Sequence, residues 1–161
     1  TDAIQDLIDR GLEVRPHIVE GWWKDTGKLD DMLEANRLIL ETLARRIDGT
    51  VDAESRVEGK VVLEAGAIVE RSVVRGPAII GARARIVDAY VGPYTSIMND
   101  AEINASEVEH SIILEGSSIS HMVHRVEDSL IGRNVRVYRL PVKPSAYRFM
   151  LGDNSEVGIR W

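Results

Sequence analysis

Leu63–Val91, with the sequence LEAGAIVERSVVRGPAIIGARARIVDAYV, contains the spacing that decides the fold. Leu63 and Ile80 lie 17 residues apart, and the same interval continues on both sides of this stretch. The interval produces three columns of mostly aliphatic residues. They are Leu63, Ile80, Ile97, Leu114 and Ile131; Val69, Ile86, Ile103, Ser120 and Val137; and Val57, Val74, Val91, Val108, Arg125 and Val142. Three columns with one period indicate a repeat architecture.

The distance between columns predicts the shape of each repeat. Three aliphatic positions about six residues apart predict three short strands per coil, with neighbouring coils about 4.8 Å apart. A column of mostly small residues accompanies them: Ala67, Ala84, Ala101, Ser118 and Val135. Gly81, Gly92 and Gly132 each follow an aliphatic position, where a corner needs close backbone approach or a positive φ. We therefore predict a mainly β protein, a parallel β-helix with coils of about 17 residues.

Two interruptions break this pattern. Ser120 and Arg125 replace aliphatic residues, while the neighbouring Ile119 and Val126 are one residue out of phase. We expect one side of that coil to bulge outward and to carry His121 and His124 with it. The second interruption is Pro141–Met150, after which the Leu151–Ser155 segment resumes the pattern in a new phase and is predicted to form a terminal coil.

The first part of the chain follows helical rules. Ile4, Leu7 and Ile8 share one face of a predicted helix over Asp2–Arg10, and Gly11 stands where a C-cap glycine belongs. Glu13–Val19 alternates sufficiently to predict a short strand. Leu29–Arg46 predicts a second helix, which links this short α/β region to the β-helix. The predicted domains are residues 1–47 and 48–161.

Composition narrows the class of protein. Twenty Lys and Arg residues against 26 Asp and Glu residues give a net charge of −6, and no basic block stands out, so a nucleic-acid partner is not expected. The absence of cysteine excludes disulfides and thiolate chemistry. No apolar stretch approaches the roughly 20 residues that a membrane span needs. We expect a cytoplasmic protein without a membrane partner.

Gly21–Leu40, GWWKDTGKLDDMLEANRLIL, resembles the end of the catalytic domain in the glucose-1-phosphate thymidylyltransferases, a branch of the sugar-1-phosphate nucleotidyltransferases. Three later segments, IILEG at 112–116, VEDSLIGRN at 126–134 and LGDNSEV at 151–157, resemble the C-terminal extension of the long form of these enzymes. The hexad aliphatic–Gly–x–x–small–x resembles the repeat of left-handed β-helices, and the left hand is implied by this resemblance alone.

The resemblance implies that the chain is the C-terminal part of an enzyme that converts dTTP and glucose 1-phosphate into dTDP-glucose and pyrophosphate with Mg²⁺. Asp25, within Lys-Asp-Thr-Gly, matches one of the family's two metal-binding aspartates; taken alone, an aspartate here favours a turn or cap. Candidate substrate-binding residues are Glu20, Gly21, Trp23 and Lys28, although packing suits the tryptophan and solvation the lysine. The chain has no Gly-x-Gly, and the family's nucleotide-binding loop is expected upstream of Thr1. We therefore predict that this chain contains no complete catalytic set and does not catalyse nucleotidyl transfer by itself.

Two alternatives concern the β-helix itself. β-Helices often serve as acetyl-CoA-dependent acyltransferases with a histidine as general base, a role open to His121 or His124. The simpler interpretation of both histidines is a solvated surface loop, and His-x-x-His without a third ligand is weak evidence for zinc. A purely architectural role, in which the β-helix assembles a homo-oligomer, is the favoured prediction for the isolated chain, with a trimer as the expected form.

Overall fold

The computed structural model describes residues 2–18, 20 and 27–140. Two helices precede the β-helix: α1 over Asp2–Asp9 and α2 over Leu29–Glu41. Gly11, with φ +71°, ends α1 as predicted, because its N–H donates to the Ile8 carbonyl. The strand predicted over Glu13–Val19 is wrong, since residues 12–18 form no strand. α2 is five residues shorter than predicted: it ends at Glu41, and Arg46 belongs to the first strand.

The rest of the described chain is a succession of short strands. They are β1 Arg46–Ile47, β2 Thr50–Val51, β3 Arg56–Glu58, β4 Val61–Leu63, β5 Ile68–Glu70, β6 Val73–Arg75, β7 Ala78–Ile80, β8 Arg85–Val87, β9 Tyr90–Val91, β10 Thr95–Ile97, β11 Glu102–Asn104, β12 Glu107–Glu109, β13 Ile112–Ile113, β14 Ser118–Ser120, β15 Val126–Glu127, β16 Leu130–Ile131 and β17 Arg136–Tyr138.

Every third strand joins the same parallel sheet. The first sheet has the order β1-β4-β7-β10-β13-β16, the second β2-β5-β8-β11-β14-β17, and the third β3-β6-β9-β12-β15. Each strand inside a sheet pairs with the strand one coil before and one coil after it, as β7 does at Ile80 with Leu63 and Ile97. The predicted parallel β-helix is confirmed, with about five coils among the described residues.

The predicted columns form the core of the second, third and fourth coils, and Val57 of the first coil packs against it. Leu63, Ile80 and Ile97 are fully buried, and so are the corresponding residues of the other two sheets: Val69, Ile86, Ile103, Val74, Val91 and Val108. Ala67, Ala84 and Ala101 fill the corners between them with at most 1% exposure. Because each column continues from coil to coil, apolar side chains are removed from water without any element outside the β-helix.

The fifth coil departs from the 17-residue interval. Ile97 pairs with Ile113 and Ile103 with Ile119, so the core positions are Ile113 rather than the predicted Leu114, and Ile119 in place of Ser120, which interrupts its column. Ser117, not Ser118, is the buried small residue, and the third-sheet strand places Val126 opposite Val108 in place of Arg125. One residue is lost at the corner containing His110. Two are gained between Ile119 and Val126, which confirms the predicted bulge.

At many corners the chain turns through a residue with positive φ, and this residue is often not glycine. Between the second and third sheets the residues with positive φ are Arg71, Asp88, Ala105 and His121. By contrast, Gly81, Gly92 and Gly132 have no positive φ. Gly81 is required for close approach, because a Cβ there would lie 2.7 Å from the backbone nitrogen of Asn99 in the next coil.

α2 lies along the outer surface of the first sheet. Val62 and Ser96 belong to this outer surface by strand alternation, yet they are 6% and 2% exposed. Leu33 and Leu40 of α2 are buried in turn, and the Asn36 side chain hydrogen-bonds to Ser96. α2 is thus part of the packed unit. Neither of the two described helices, α1 and α2, is long and apolar enough to cross a membrane.

Candidate functional site

The predicted catalytic segment leads directly into α2. Gly21, Trp23 and Asp25 lie outside the described residues, and the structure places Glu20 and Lys28 on either side of them. Both of these side chains are exposed. Lys28 is the residue immediately before α2, with extended backbone, and its side chain makes no capping hydrogen bond. Its ammonium group is therefore on the surface at the amino end of α2.

A second site is a groove at the corner between the second and third sheets. Its volume is about 520 Å³. The lining residues are Arg71, Val73, Asp88, Ala89, Tyr90, Ala105, Ser106, Glu107, Met122 and Val123. Met122 and Val123 come from the two-residue expansion of the fifth coil, so the irregularity seen in the sequence forms one wall. Val123 is 63% exposed, whereas Met122 packs against the core.

Serine side chains hold the groove in register between coils. Ser72 is 2% exposed, and its hydroxyl accepts a hydrogen bond from the Ala89 N–H at 3.0 Å. Two coils later, Ser106 accepts a bond from the Met122 N–H at 3.1 Å. These bonds satisfy corner N–H groups and fix where the expanded loop begins.

Charges at the groove are paired with one another. Arg71 donates two hydrogen bonds to Asp88, at 2.7 and 2.8 Å, and this holds the pKa of the Asp88 carboxyl below its usual range. Arg125 bridges Glu107 at 3.0 Å and Glu109 at 2.7 Å and stacks 4.9 Å from the centre of the Tyr90 ring. The described arginines at this groove thus already have carboxylate partners, which disfavours a phosphorylated ligand there.

The two predicted histidines flank Met122 and Val123 in the chain, but neither is among the residues that line the groove. His121 occupies the corner with φ +55°, and both His121 and His124 are exposed. Among residues 2–18, 20 and 27–140, no cluster of three or more His, Asp and Glu side chains could hold a metal ion. His121 and His124 thus belong to no such cluster within this part of the chain.

His110 and Asp128 form a pair that the sequence analysis did not connect. His110 forms a corner with φ +42°, its Nδ1 lies 2.6 Å from Asp128 Oδ1, and its ring meets Tyr94 edge-on at 6.2 Å. Asp128 follows His110 by 18 residues, which is one coil. The repeat phase, followed through the irregular coil, could have predicted this pair.

Comparisons with known proteins identify relatives of nearly the whole chain. Glucose-1-phosphate thymidylyltransferase from Streptomyces griseus is 52% identical over 159 residues, which are 99% of this chain and 44% of that protein. The bifunctional protein GlmU from Methanocaldococcus jannaschii is 40% identical over 137 residues, covering 83% of this chain and 33% of that protein. The chain thus spans less than half the length of these relatives.

Two further comparisons add little. No family model matches the chain. Among solved structures, the acetyltransferase domain of PglB from Neisseria gonorrhoeae FA1090 aligns with 70% of this chain and 66% of its own, at 18% identity and a TM-score of 0.36. A likeness this remote supports no argument about function.

Proposed function

The chain is homologous over nearly its whole length to part of the glucose-1-phosphate thymidylyltransferases, and on this premise we propose that it is the C-terminal part of such an enzyme. The intact enzyme would catalyse attack of a phosphate oxygen of glucose 1-phosphate on the α-phosphorus of dTTP. The bond to pyrophosphate breaks as dTDP-glucose forms. The observation that supports this proposal most strongly is the 52% identity across 99% of the chain.

The proposed roles follow the segment before α2. Asp25 supplies a hard carboxylate oxygen, the ligand type that Mg²⁺ prefers, and the ion would offset phosphate charge when bound. Lys28 is exposed at the start of α2, where its ammonium can approach an anionic substrate. Glu20, Gly21 and Trp23 are proposed to shape the sugar and nucleotide pocket. The geometry of Asp25 lies outside the described residues, so its metal role is a prediction from resemblance.

For the isolated chain, we propose a structural role. The β-helix has a continuous core of its own, as a domain that stabilises and assembles an enzyme requires. Left-handed coiling, a homotrimer, a cytoplasmic location and the lack of nucleotidyl transfer by the chain alone remain predictions.

The test compares pyrophosphate release from dTTP and glucose 1-phosphate by the intact enzyme and by variants. Asp25→Asn should abolish most turnover and its dependence on Mg²⁺, because the metal ligand is lost. Asp30→Asn is the matched control, since Asp30 is an exposed aspartate in the first turn of α2. Equal turnover of the two variants would contradict the role of Asp25, and an inactive wild-type enzyme would contradict the proposed reaction.

Acyl transfer at the groove is the second candidate. It is favoured by the position of His121 next to Met122, which lines a cavity of about 520 Å³, and weakened by the pairing of the nearby arginines with carboxylates. Titration calorimetry of acetyl-CoA with this chain separates the possibilities. Saturable binding that His121→Ala or His124→Ala abolishes and His17→Ala leaves unchanged would support acyl transfer. Absence of heat would leave the structural role.

A further inference from the structure

The contact between α2 and the β-helix contains a polar residue that fixes the helix in one position. Asn36 lies halfway along α2 and is half-buried. Its Nδ2 donates to the Tyr94 carbonyl at 3.0 Å, and its Oδ1 accepts a hydrogen bond from Ser96 Oγ at 2.5 Å. One side chain thus binds two residues of the same coil, across 58 and 60 residues of sequence.

Both partners of Asn36 are themselves held by the sheet. The Tyr94 N–H donates to the Pro77 carbonyl at 2.6 Å, and the Ser96 N–H donates to the Ser111 carbonyl at 2.9 Å. Apolar packing alone permits a helix to shift along a sheet or another helix by discrete steps. Two directional hydrogen bonds from one amide do not permit such a shift, because both lose their geometry after a displacement of about 1 Å.

Further contacts hold the carboxyl end of α2. Lys60 Nζ donates to the Glu41 carbonyl at 2.7 Å, and the Tyr94 hydroxyl lies 3.4 Å from Glu41 Oε1. Arg37 stacks 6.0 Å from the centre of the Tyr94 ring. The middle and the end of α2 are therefore tied to one corner of the β-helix, and the direction of the helix axis is set there.

The amino end of α2 follows from this direction. Lys28 precedes Asn36 by eight residues, or about 12 Å of helix. A tilt of about 10° around Asn36 would therefore move Lys28 by roughly 2 Å. In an active site, a displacement of about 1 Å can cost two orders of magnitude in rate.

We propose that Asn36 is a positioning residue: by binding Tyr94 and Ser96 it fixes α2 on the β-helix and thereby sets the location of Lys28 for substrate. This inference rests on the proposed thymidylyl transfer. It gives the β-helix a role in the reaction beyond assembly, since the coil containing Tyr94 and Ser96 determines where the start of α2 lies.

The experiment uses the intact enzyme with Asn36→Ala, Ser96→Ala and the double variant. We expect kcat/KM for glucose 1-phosphate to fall about tenfold in Asn36→Ala. The double variant should lose little more than Asn36→Ala, because Ser96 acts through the same amide. Ile119→Val is the control, since it removes a methyl group from the fully buried core of the fifth coil and lowers the melting temperature without contacting α2.

A second readout is independent of activity. Amide hydrogen exchange in residues 28–33 should accelerate in Asn36→Ala and stay unchanged in Ile119→Val. An active wild-type enzyme whose Asn36→Ala variant keeps kcat/KM within twofold would overturn the inference alone. If the wild-type enzyme shows no thymidylyl transfer, the proposed function fails. In that case, the amide exchange of residues 28–33 still tests whether Asn36 fixes α2. Unchanged exchange in Asn36→Ala would refute this positioning role as well.

Discussion

Two glycines with the same place in the repeat should respond oppositely to substitution by alanine. Gly81 and Gly132 each follow a first-sheet isoleucine. At Gly81 an added Cβ would lie 2.6 Å from Asn99 Oδ1 and 2.7 Å from both the Asn99 nitrogen and the Met98 carbonyl carbon. At Gly132 the nearest atom would be Val135 Cγ2 at 3.6 Å, an ordinary contact.

The size of the effect follows from what must move. Two of the three atoms near Gly81 are backbone, and the third accepts a hydrogen bond from the Ala82 N–H at 2.9 Å. The next coil has to shift, so Gly81→Ala should cost about 1–3 kcal/mol of unfolding free energy, as overpacking does. Gly132→Ala should be neutral or stabilise by up to about 1 kcal/mol, because alanine restricts the unfolded chain.

Thermal unfolding followed by circular dichroism measures both variants. A protein of this size shifts its melting temperature by about 2–4 °C for each kcal/mol. Gly81→Ala should therefore melt several degrees below the wild type, and Gly132→Ala at or slightly above it. Equal melting temperatures for the two variants would refute the argument that close approach of neighbouring coils requires glycine at position 81.

Three further predictions concern corners and core. Ala105→Gly should raise the free energy of unfolding by about 1 kcal/mol, because Ala105 has φ +43°. The control is Ala82→Gly, which should lower the free energy of unfolding in the same urea titration, because Ala82 has no positive φ. The Arg71 hydrogen bonds lower the pKa of Asp88 in the folded protein. As pH falls, the Asp88 carboxylate therefore takes up a proton at a higher pH in the unfolded chain than in the folded one. This stability is present above pH ~4 and lost below it, and Asp88→Asn should reduce the acid-induced loss in urea titrations between pH 2 and 6. Ile103→Ala should cost about 2–5 kcal/mol in urea unfolding, since Ile103 is fully buried between Ile86 and Ile119; a cost below 1 kcal/mol would contradict this core.

The 17-residue spacing predicts one part of the fold, and the packing of neighbouring coils decides the rest. Leu63, Ile80 and Ile97 were predicted correctly because a buried column must repeat with each coil. The prediction failed at Leu114, since a one-residue loss at the His110 corner moves the core onto Ile113, and onto Ile119 next to the interrupting Ser120. A corner can lose a residue without disturbing the sheets, and the sequence interval alone does not show where.

The candidate sites differ in the same way. The irregular coil with His121 and His124 was found from the sequence because Ser120 and Arg125 interrupt a regular pattern. The groove that Met122 and Val123 form with Tyr90 and Glu107 was not, because it depends on residues one or two coils away. His110 and Asp128 were not linked beforehand, because the coil between them has 18 residues instead of 17. Local spacing identifies an irregular coil, whereas contacts between coils determine which side chains meet there.

By itself, the sequence determined that this protein is a repeat of three short strands per coil with an aliphatic core, because burial of one side chain per strand imposes a period that is visible in the residues. It also determined, through Gly21–Leu40, the family that the chain resembles. Only the tertiary structure decided that α2 packs on the first sheet through Asn36, Tyr94 and Ser96. Hydrogen bonds across some 60 residues depend on the three-dimensional path of the chain, and this path leaves no periodic signal in the sequence.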